Sequence, residues 1–299
     1  MRVEPASGLL VEDREVVSGA PSSGIYQIGS ITKVFTALVL AREVVGGRLA
    51  LEQQLQDLLP RLADRPVGSV TLRELVTHTS GLPRLPPGMW RKSVGKERRD
   101  PYADIDESSL LSSVADLAPR HPSRPGYSNL GFGLLGHALT RHLGTSYDEA
   151  VRAAVTAPLG MHDTGCAPDP ERLVVGRSRR GRPHDVAWTF QAMAGAGALW
   201  STVDDMLLFL RAQLDPPGGP LGEAIALSQE PLAGSGRMRR AMAWLQVGGK
   251  DGTLLFHNGG TAGYRSFTAV DASRRRAAVV LGASDRSVDR AGMHLVRSG

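Results

Sequence analysis

The sequence predicts an α+β fold: an antiparallel sheet flanked by helices, with a helical lobe inserted into it. Strand-like segments lie at both ends of the chain, apolar residues have helical spacing through the middle, and hairpin turns separate the C-terminal strands. We expect the N-terminal strand to join the C-terminal ones. The 299 residues would then form one domain, with a sheet lobe of about 1–29 and 232–299 and a helical lobe of about 30–231.

The chain begins with short strands that lead into a long helix. The segment GLLVEDREVVSG predicts one or two strands, and a turn rich in Pro, Ser and Gly follows it. From Ile31 to Val45 the apolar residues fall on one helical face, and Gly46 with Gly47 ends the helix. Residues 83–105 are polar and rich in proline, so they predict a long surface loop.

Further helices are predicted from apolar spacing and from capping patterns. Thr71 with Glu74, and Ser146 with Glu149, each form a capping-box pattern at a helix start. After Pro231 the spacing changes to that of strands, with AMAWLQV, TLLFH, YRSFTAV and AAVVLGA separated by turns. The predicted helical segments are 51–59, a short helix from about 71, 109–117, 129–143, 147–156, 203–214 and 288–296.

The composition is that of an ordinary globular protein, with 41% hydrophobic and 22% charged residues. No apolar run approaches the roughly 20 residues of a membrane helix. The acidic N-terminal segment does not resemble a signal peptide, so we expect a cytoplasmic protein without a membrane partner. The single cysteine, Cys166, excludes an internal disulfide and a cysteine zinc cluster.

The net charge of +5 does not by itself indicate a nucleic-acid partner. Neither basic cluster, 91–99 or 177–182, contains the interleaved aromatic residues that stack on bases, so we expect no nucleic acid. The sequence also lacks HExxH, Walker and dinucleotide-binding patterns, and we therefore expect neither a metal nor a cofactor. His137 and His142, five residues apart on a predicted helix, are expected at the surface.

The strongest chemical signal is the segment GSITK at the start of the first long helix. Ser30 would lie in the first helical turn, near free backbone N–H groups, and the Lys33 amine would reach its hydroxyl. A lysine held among apolar residues has a lowered pKa and can act as a base. Ser93 and Lys96 have the same spacing in a charged loop without an apolar helix, so we assign that pair to chance.

Two further segments carry residue types that suit acyl chemistry. Tyr127 and Asn129 form the one Tyr-x-Asn of the sequence, at the opening of a predicted helix. Alone, such a pair is typical of a structural tyrosine and a capping asparagine. The segment HNGGTAG, residues 257–263, lies between two predicted strands, where its glycines would let a substrate approach and would expose an N–H for an oxyanion. Alone, it is typical of a glycine-rich hairpin.

Taken together and in this order, the three segments resemble the serine hydrolases of the class C β-lactamase family, which includes D-Ala-D-Ala carboxypeptidases, esterases and some transacylases. The family pattern is SxxK at a helix start, YxN on the helical lobe, and a KTG-like or HxG triplet on a strand. Surrounding segments such as LRELVTHTSGLP and FHNGGTAGYRSF are similar as well, and the resemblance extends over residues 25–299. It implies a β-lactamase/transpeptidase-like fold.

The resemblance implies a catalytic role for three residues. Ser30 would be the nucleophile that forms an acyl-enzyme, and Lys33 would accept or relay its proton. Tyr127 would assist the attack, protonate the leaving group and later activate the deacylating water. Asn129 would bind the acyl side of the substrate and orient Lys33.

The strand triplet completes the implied site, and it departs from the family pattern. His257 takes the place of the KTG lysine, Gly259 would let substrate lie along the strand, and the N–H groups of Ser30 and Gly260 would form the oxyanion hole. A histidine is mostly neutral at pH 7, which favours the esterase, peptidase and transacylase branches over true β-lactamases. Only 29 residues precede Ser30, so we expect thinner cover on the outer face of the sheet.

Three functions remain open at this point. The chain could encode a hydrolase of esters or amides, a transacylase or cyclase of a biosynthetic pathway, or a penicillin- or peptide-binding protein without turnover. In each case the partner is a small-molecule or peptide acyl substrate, and the sequence gives no oligomeric state. The loops 83–105 and 167–187 are hypothesised to form walls of the substrate cleft, and His78 in THTSG is interpreted as structural.

Overall fold

The computed structural model describes residues 4–89, 100–120, 124–184, 186–249 and 252–298. Within them, eight strands form one antiparallel sheet in the order β2–β1–β10–β9–β8–β7–β6–β5, and β3 pairs with β4 separately. The strands are β1 (Ala6–Val11), β2 (Arg14–Ser18), β3 (Tyr26–Gln27), β4 (Trp200–Ser201), β5 (Ala233–Ser235), β6 (Met238–Arg240), β7 (Leu245–Gly249), β8 (Gly252–Thr261), β9 (Tyr264–Asp271) and β10 (Arg276–Gly282).

The predicted union of the two chain ends in one sheet is confirmed. β1 pairs with β10 along its length, from Ala6 opposite Leu281 to Val11 opposite Arg276, and β2 forms a hairpin with β1. The β5–β6 hairpin was not predicted, because its sequence is short, polar and glycine-rich and lacks the alternation that signals a strand. The α+β fold class therefore holds, and the β5–β6 hairpin and the β3–β4 pair are additions that the sequence did not indicate.

The predicted helices are present, with bounds that differ by a few residues. The Thr71–Glu74 and Ser146–Glu149 capping boxes both form. One helix, Pro220–Gln229, was missed, because its buried face consists largely of small residues. The helices are α1 (Thr32–Val45), α2 (Leu55–Leu58), α3 (Leu72–Val76), α4 (Glu107–Val114), α5 (Asn129–Leu143), α6 (Tyr147–Val151), α7 (Val203–Leu214), α8 (Pro220–Gln229) and α9 (Asp289–Arg297).

Alternate side chains of β10 face opposite layers, as the pleat of a strand requires. Ala277, Val279 and Leu281 belong to the main core, and α7 packs on β1 and β10. Ala278 and Val280 belong to a smaller apolar cluster, and α9 packs on β9 and β10. β2, at one edge of the sheet, is exposed along all five residues. The division into a sheet lobe and a helical lobe stays a prediction.

The prediction that His137 and His142 lie at the surface is wrong for His137. His137 is buried on α5, with its Nε2 atom 3.5 Å from Glu107 Oε1. His142 is exposed as predicted, with its Nε2 atom 3.1 Å from Glu43 Oε2. Both rings therefore link α5 to acidic residues of other helices, which spacing along one helix does not reveal.

Some predictions concern residues outside the described ranges. Ser93, Lys96 and the basic cluster 91–99 are among them. Of the helices that the structure describes, none is long and apolar enough to cross a membrane.

Replacing Leu281 by alanine tests the assignment of the core. Leu281 is fully buried on β10, so Leu281→Ala should lower the free energy of unfolding by about 2–5 kcal/mol. Val17 on β2 is 43% exposed, and Val17→Ala should change it by less than about 0.5 kcal/mol. Urea unfolding followed by circular dichroism measures both, and equal losses would contradict this arrangement of the sheet.

Candidate active site

A tight turn at the start of α1 brings Ser30 to a cleft. The turn spans Gly29–Ile31, and Gly29 has a φ of +53°, a conformation that favours glycine. Ser266 Oγ on β9 donates to Ile28 O at 2.7 Å, which ties the turn to the sheet. Ser30 is partly exposed and lines the cleft, so its hydroxyl is accessible to a ligand.

The Ser30 hydroxyl oxygen accepts two hydrogen bonds from predicted site residues. Lys33 Nζ donates to Ser30 Oγ at 3.0 Å, and Tyr127 OH donates to the same atom at 2.6 Å. The structure thus brings together three side chains that are 97 residues apart at the extremes. Their juxtaposition puts a potential base and a proton donor on one potential nucleophile.

Lys33 is fully buried, and its amine lies in apolar and aromatic surroundings. Besides Ser30, its Nζ atom donates to Ala196 O at 2.6 Å, and it lies 5.0 Å and 5.7 Å from the ring centroids of Tyr127 and Phe132. Burial, and secondly the nearby charge of Arg84, hold the pKa of Lys33 well below its usual value. The neutral amine, which can accept a proton, is therefore favoured.

The pKa of Tyr127 is shifted in the opposite direction. Burial raises the pKa of the Tyr127 phenol to about 12, against smaller lowering effects of the Ser30 hydrogen bond and of Arg84. The phenol is therefore protonated at neutral pH and acts as a hydrogen-bond donor to Ser30 Oγ. Since the neighbouring lysine is favoured in its neutral form, Lys33 is the better base of the two and Tyr127 the better acid.

Asn129 lies at the start of α5, with its side chain at the cleft. Its Nδ2 atom donates to Tyr102 OH at 3.3 Å, and its Oδ1 atom is buried without a hydrogen-bond partner in the described part of the chain. The Lys33 amine bonds to Ser30 and Ala196, and no hydrogen bond joins it to Asn129 among the described residues, so the expected orienting contact is not formed. The unpaired acceptor suits a ligand N–H.

Strand β8 brings its glycines against the turn that carries Ser30. A Cβ atom on Gly259 would collide with Ile28 O and Ser266 Oγ, so only glycine lets β8 approach this closely. The sequence assigned this glycine to substrate access, and the structure shows a second reason for it in the packing of the protein itself. Gly260 lies beside Gly29 and lines the cleft with Ser30.

His257 on β8 is buried rather than exposed at the cleft. The ring is 3% exposed, and its Nδ1 atom contacts Asn258 O at 2.7 Å, a geometry that suits an Nδ1–H donor. Burial lowers the pKa of His257 to about 3, with a further contribution from Lys33. The neighbouring residues 258–261 line the cleft instead, and His257 offers them no positive charge at neutral pH.

His78 lies under Tyr127 and holds the segment that carries it. Its Nδ1 atom accepts from Ser128 N at 3.2 Å, its carbonyl accepts from Gly126 N at 2.8 Å, and its ring centroid is 4.7 Å from that of Tyr127. A φ of +59° places His78 in the left-handed region. Burial holds the pKa of His78 well below its usual value, so the neutral ring with Nδ1 as acceptor is favoured.

The cleft has a volume of about 560 Å³ and contains residues that the sequence did not single out. The loop 83–105, hypothesised as a wall, supplies Arg84, Tyr102 and other lining residues, whereas Trp188 lies just beyond the second hypothesised wall, 167–187. Two of these residues, Tyr102 and Trp188, are aromatic, and aromatic character was the one feature of the sequence that could have singled them out. Their rings pack edge-to-face with centroids 5.5 Å apart. The remaining lining residues are Leu85, Met89, Pro101, Asn258, Thr261, Arg265, Ser287 and Asp289.

Comparisons with known proteins identify the family to which this fold and cleft belong. The family model described as Beta-lactamase matches residues 7–297. The D-alanyl-D-alanine-carboxypeptidase/endopeptidase AmpH of Escherichia coli K12 is 31% identical over 198 residues, which cover 64% of this chain and 49% of AmpH. Esterase EstB of Burkholderia gladioli is 30% identical over 274 residues, covering 78% of this chain and 68% of EstB.

A solved structure agrees in fold. The class C beta lactamase from Rhodobacter sphaeroides superposes with a TM-score of 0.83 at 22% identity, covering 95% of this chain and 90% of that one. Fold and cleft together define a protein with an SxxK serine that faces strand β8 of an antiparallel sheet. The chain belongs to the beta-lactamase family, so the resemblance predicted from the sequence is confirmed. It spans about half the length of AmpH, and the roles of the site residues stay predictions.

Substitutions at His78 test whether it positions Tyr127. His78→Ala removes the acceptor for Ser128 N and leaves a residue that is strained at positive φ, so labelling of Ser30 by a fluorophosphonate should slow roughly 10- to 100-fold. His78→Asn should lose less, because asparagine tolerates this conformation and keeps an acceptor. The labelling rate and the melting temperature measure both effects. Labelling of a folded His78→Ala at the wild-type rate would rule out the positioning role.

Proposed function

We propose that the protein is a serine hydrolase that cleaves esters or amides of small molecules or peptides through an acyl-enzyme on Ser30. The observation that carries the proposal is the pair of hydrogen bonds that Ser30 Oγ accepts from Lys33 and Tyr127. The similarity to AmpH, a carboxypeptidase/endopeptidase, and to EstB, an esterase, supports acyl substrates of these two kinds.

In the first step the neutral Lys33 amine takes the Ser30 proton, and Ser30 Oγ attacks the substrate carbonyl. The lowered pKa of Lys33 supports this assignment, because a protonated amine could not accept the proton. The oxyanion that develops would be held by the N–H groups of Ser30 and Gly260, which lie on the turn and on β8. Removing such a donor typically costs 10² to 10³ in rate.

In the second step the leaving group departs with a proton from Tyr127. The phenol contacts Ser30 Oγ and is protonated at neutral pH, so it can deliver a proton to the departing atom and regain one from Lys33. Asn129 Oδ1, buried and without a hydrogen-bond partner in the described residues, would accept from an N–H on the acyl side of the substrate. His257 would act by supporting β8, not as a charged ligand, since it is buried and neutral.

The acceptor that releases the acyl group separates the hydrolase from the two alternatives. Water gives a hydrolase, and an amine or hydroxyl gives a transacylase or cyclase. A stable adduct without release gives a penicillin- or peptide-binding protein. The cleft is open to solvent at Ser30, which supports water as the acceptor.

Replacing Ser30 tests the nucleophile. Wild type and Ser30→Ala would be incubated with a p-nitrophenyl ester, a penicillin and a fluorophosphonate and analysed by intact-protein mass spectrometry. We expect an adduct on wild type and none on Ser30→Ala, because the alanine has no oxygen to acylate. Ser93→Ala, with the same SxxK spacing, is the control and should label like wild type. An adduct on Ser30→Ala would remove Ser30 from the mechanism.

The pH dependence of acylation tests the assignment of base and acid. Protonation of Lys33 removes the base, so the acylation rate should fall as pH drops through the Lys33 pKa. Ionisation of Tyr127 should cause no loss until pH approaches about 12. Lys33→Arg should reduce the rate by about 10² to 10⁴ at every pH, since a guanidinium stays protonated. An acidic limb that persists unchanged in Lys33→Arg would mean that another group, such as His78 or His257, is the base.

A further inference from the structure

Among the described residues, two arginines line the cleft, Arg84 and Arg265, and the Lys33 amine lies buried behind Ser30. Lys33 is buried and bonds to Ser30 and Ala196, as described above. Arg265 Nη1 donates to Thr261 O and Tyr264 O, both at 2.7 Å, and its Nη2 atom lies 3.4 Å from Asp285 Oδ1. Neither side chain is therefore available to pair with a charged ligand.

Arg84 differs from Lys33 and Arg265. It is exposed, lines the cleft with Ser30, and has neither an ion pair nor a side-chain hydrogen bond among the described residues. Its guanidinium carbon lies 5.1 Å from the centroid of the Tyr127 ring, whose hydroxyl contacts Ser30. The positive charge is thus one aromatic side chain away from the reacting oxygen.

The backbone of Arg84 is fixed, so this position does not depend on a freely moving loop. Its carbonyl oxygen accepts from Asn129 N at 2.9 Å and from Leu130 N at 3.3 Å, the first two residues of α5. Arg84 is therefore held in register with the Tyr127–Asn129 segment. A planar guanidinium on a fixed backbone can bind a carboxylate through two parallel hydrogen bonds.

The surroundings of Arg84 favour an anion in the cleft. Leu85, Met89 and Pro101 line the cleft beside it, and a charge next to apolar surface interacts more strongly than one in bulk water. At the opposite edge His257 is neutral, so β8 supplies no competing cation. Asp289, an acidic lining residue, accepts from Asn258 Nδ2 at 3.1 Å and makes no ion pair with Arg84.

We propose that Arg84 is the specificity-determining cation of the cleft and that it binds a carboxylate of the ester or amide substrate that acylates Ser30. This inference rests on the proposed serine-hydrolase function. It adds the substrate class: molecules that carry a negative charge within reach of the face of Tyr127.

The test compares substrates that differ only in charge. The mono-p-nitrophenyl esters of adipic and suberic acid carry a terminal carboxylate, and the corresponding terminal amides are neutral and nearly the same size. The specificity constant kcat/KM would be measured for wild type, Arg84→Gln, Arg84→Lys and Arg61→Gln. Arg61 is exposed and does not line the cleft, so its variant controls for the loss of one positive charge.

We expect wild type to prefer the carboxylate esters. Arg84→Gln should lower kcat/KM for these esters by about 10- to 100-fold, the usual range for losing a hydrogen bond to a charged group. It should change kcat/KM for the neutral esters with a terminal amide by less than about twofold. Arg84→Lys should recover part of the preference, and Arg61→Gln should retain it. In wild type, but not in Arg84→Gln, the preference should weaken at high salt.

Two results would overturn the inference. Equal losses on charged and neutral esters in Arg84→Gln would mean that Arg84 acts only through the pKa of Lys33, and no loss on either would mean that it is a solvated surface residue. The same comparison with fluorophosphonates bearing a terminal carboxylate or amide applies if ester turnover is slow. Absence of any Ser30 adduct in wild type would instead refute the proposed function, and neutral reagents distinguish that failure from the failure of charge recognition.

Discussion

The burial of the Lys33 amine is the constraint on which the rest of the site depends. The amine is shielded from solvent and donates hydrogen bonds to the Ser30 hydroxyl and to the Ala196 carbonyl. Among the described residues, no carboxylate forms a hydrogen bond or ion pair with it. A buried ammonium without a counter-charge is costly, so the neutral form is favoured. The fold meets this requirement by surrounding Nζ with the rings of Tyr127 and Phe132 and with the 191–196 turn.

The contact between the sheet and the Gly29–Ile31 turn fixes the position of Ser30. β8 lies against the turn because Gly259 has no side chain, and Ser266 of β9 donates to Ile28 O from the neighbouring strand. The turn is therefore held from the helix side by α1 and from the sheet side by two strands. Gly259 and Ser266 therefore contribute both to the packing of the fold and to the position of Ser30 in the cleft.

Local signals made much of the fold and part of the site predictable from the sequence. Capping boxes, glycines at helix ends and apolar spacing depend on a few neighbouring residues, and the SxxK and YxN patterns each lie at the start of a helix. The contributions of Arg84 and Tyr102 depend on tertiary packing that brings these two residues to the cleft, which spacing cannot give. The burial of His257 and His137 likewise results from packing between distant segments.

The electrostatic character of the site results from three basic side chains that are buried close together. His78, His257 and Lys33 all have lowered pKa values, and each cation nearby makes protonation of the others less favourable. Arg84 remains charged at the cleft surface, so the site presents a neutral base inside and a positive potential outside. In the proposed reaction, negative charge that develops on a substrate carbonyl would be stabilised by that potential, whereas a proton entering the interior would not. If the lysine were paired with a carboxylate, its pKa would be raised, and the protonated amine could not serve as a base.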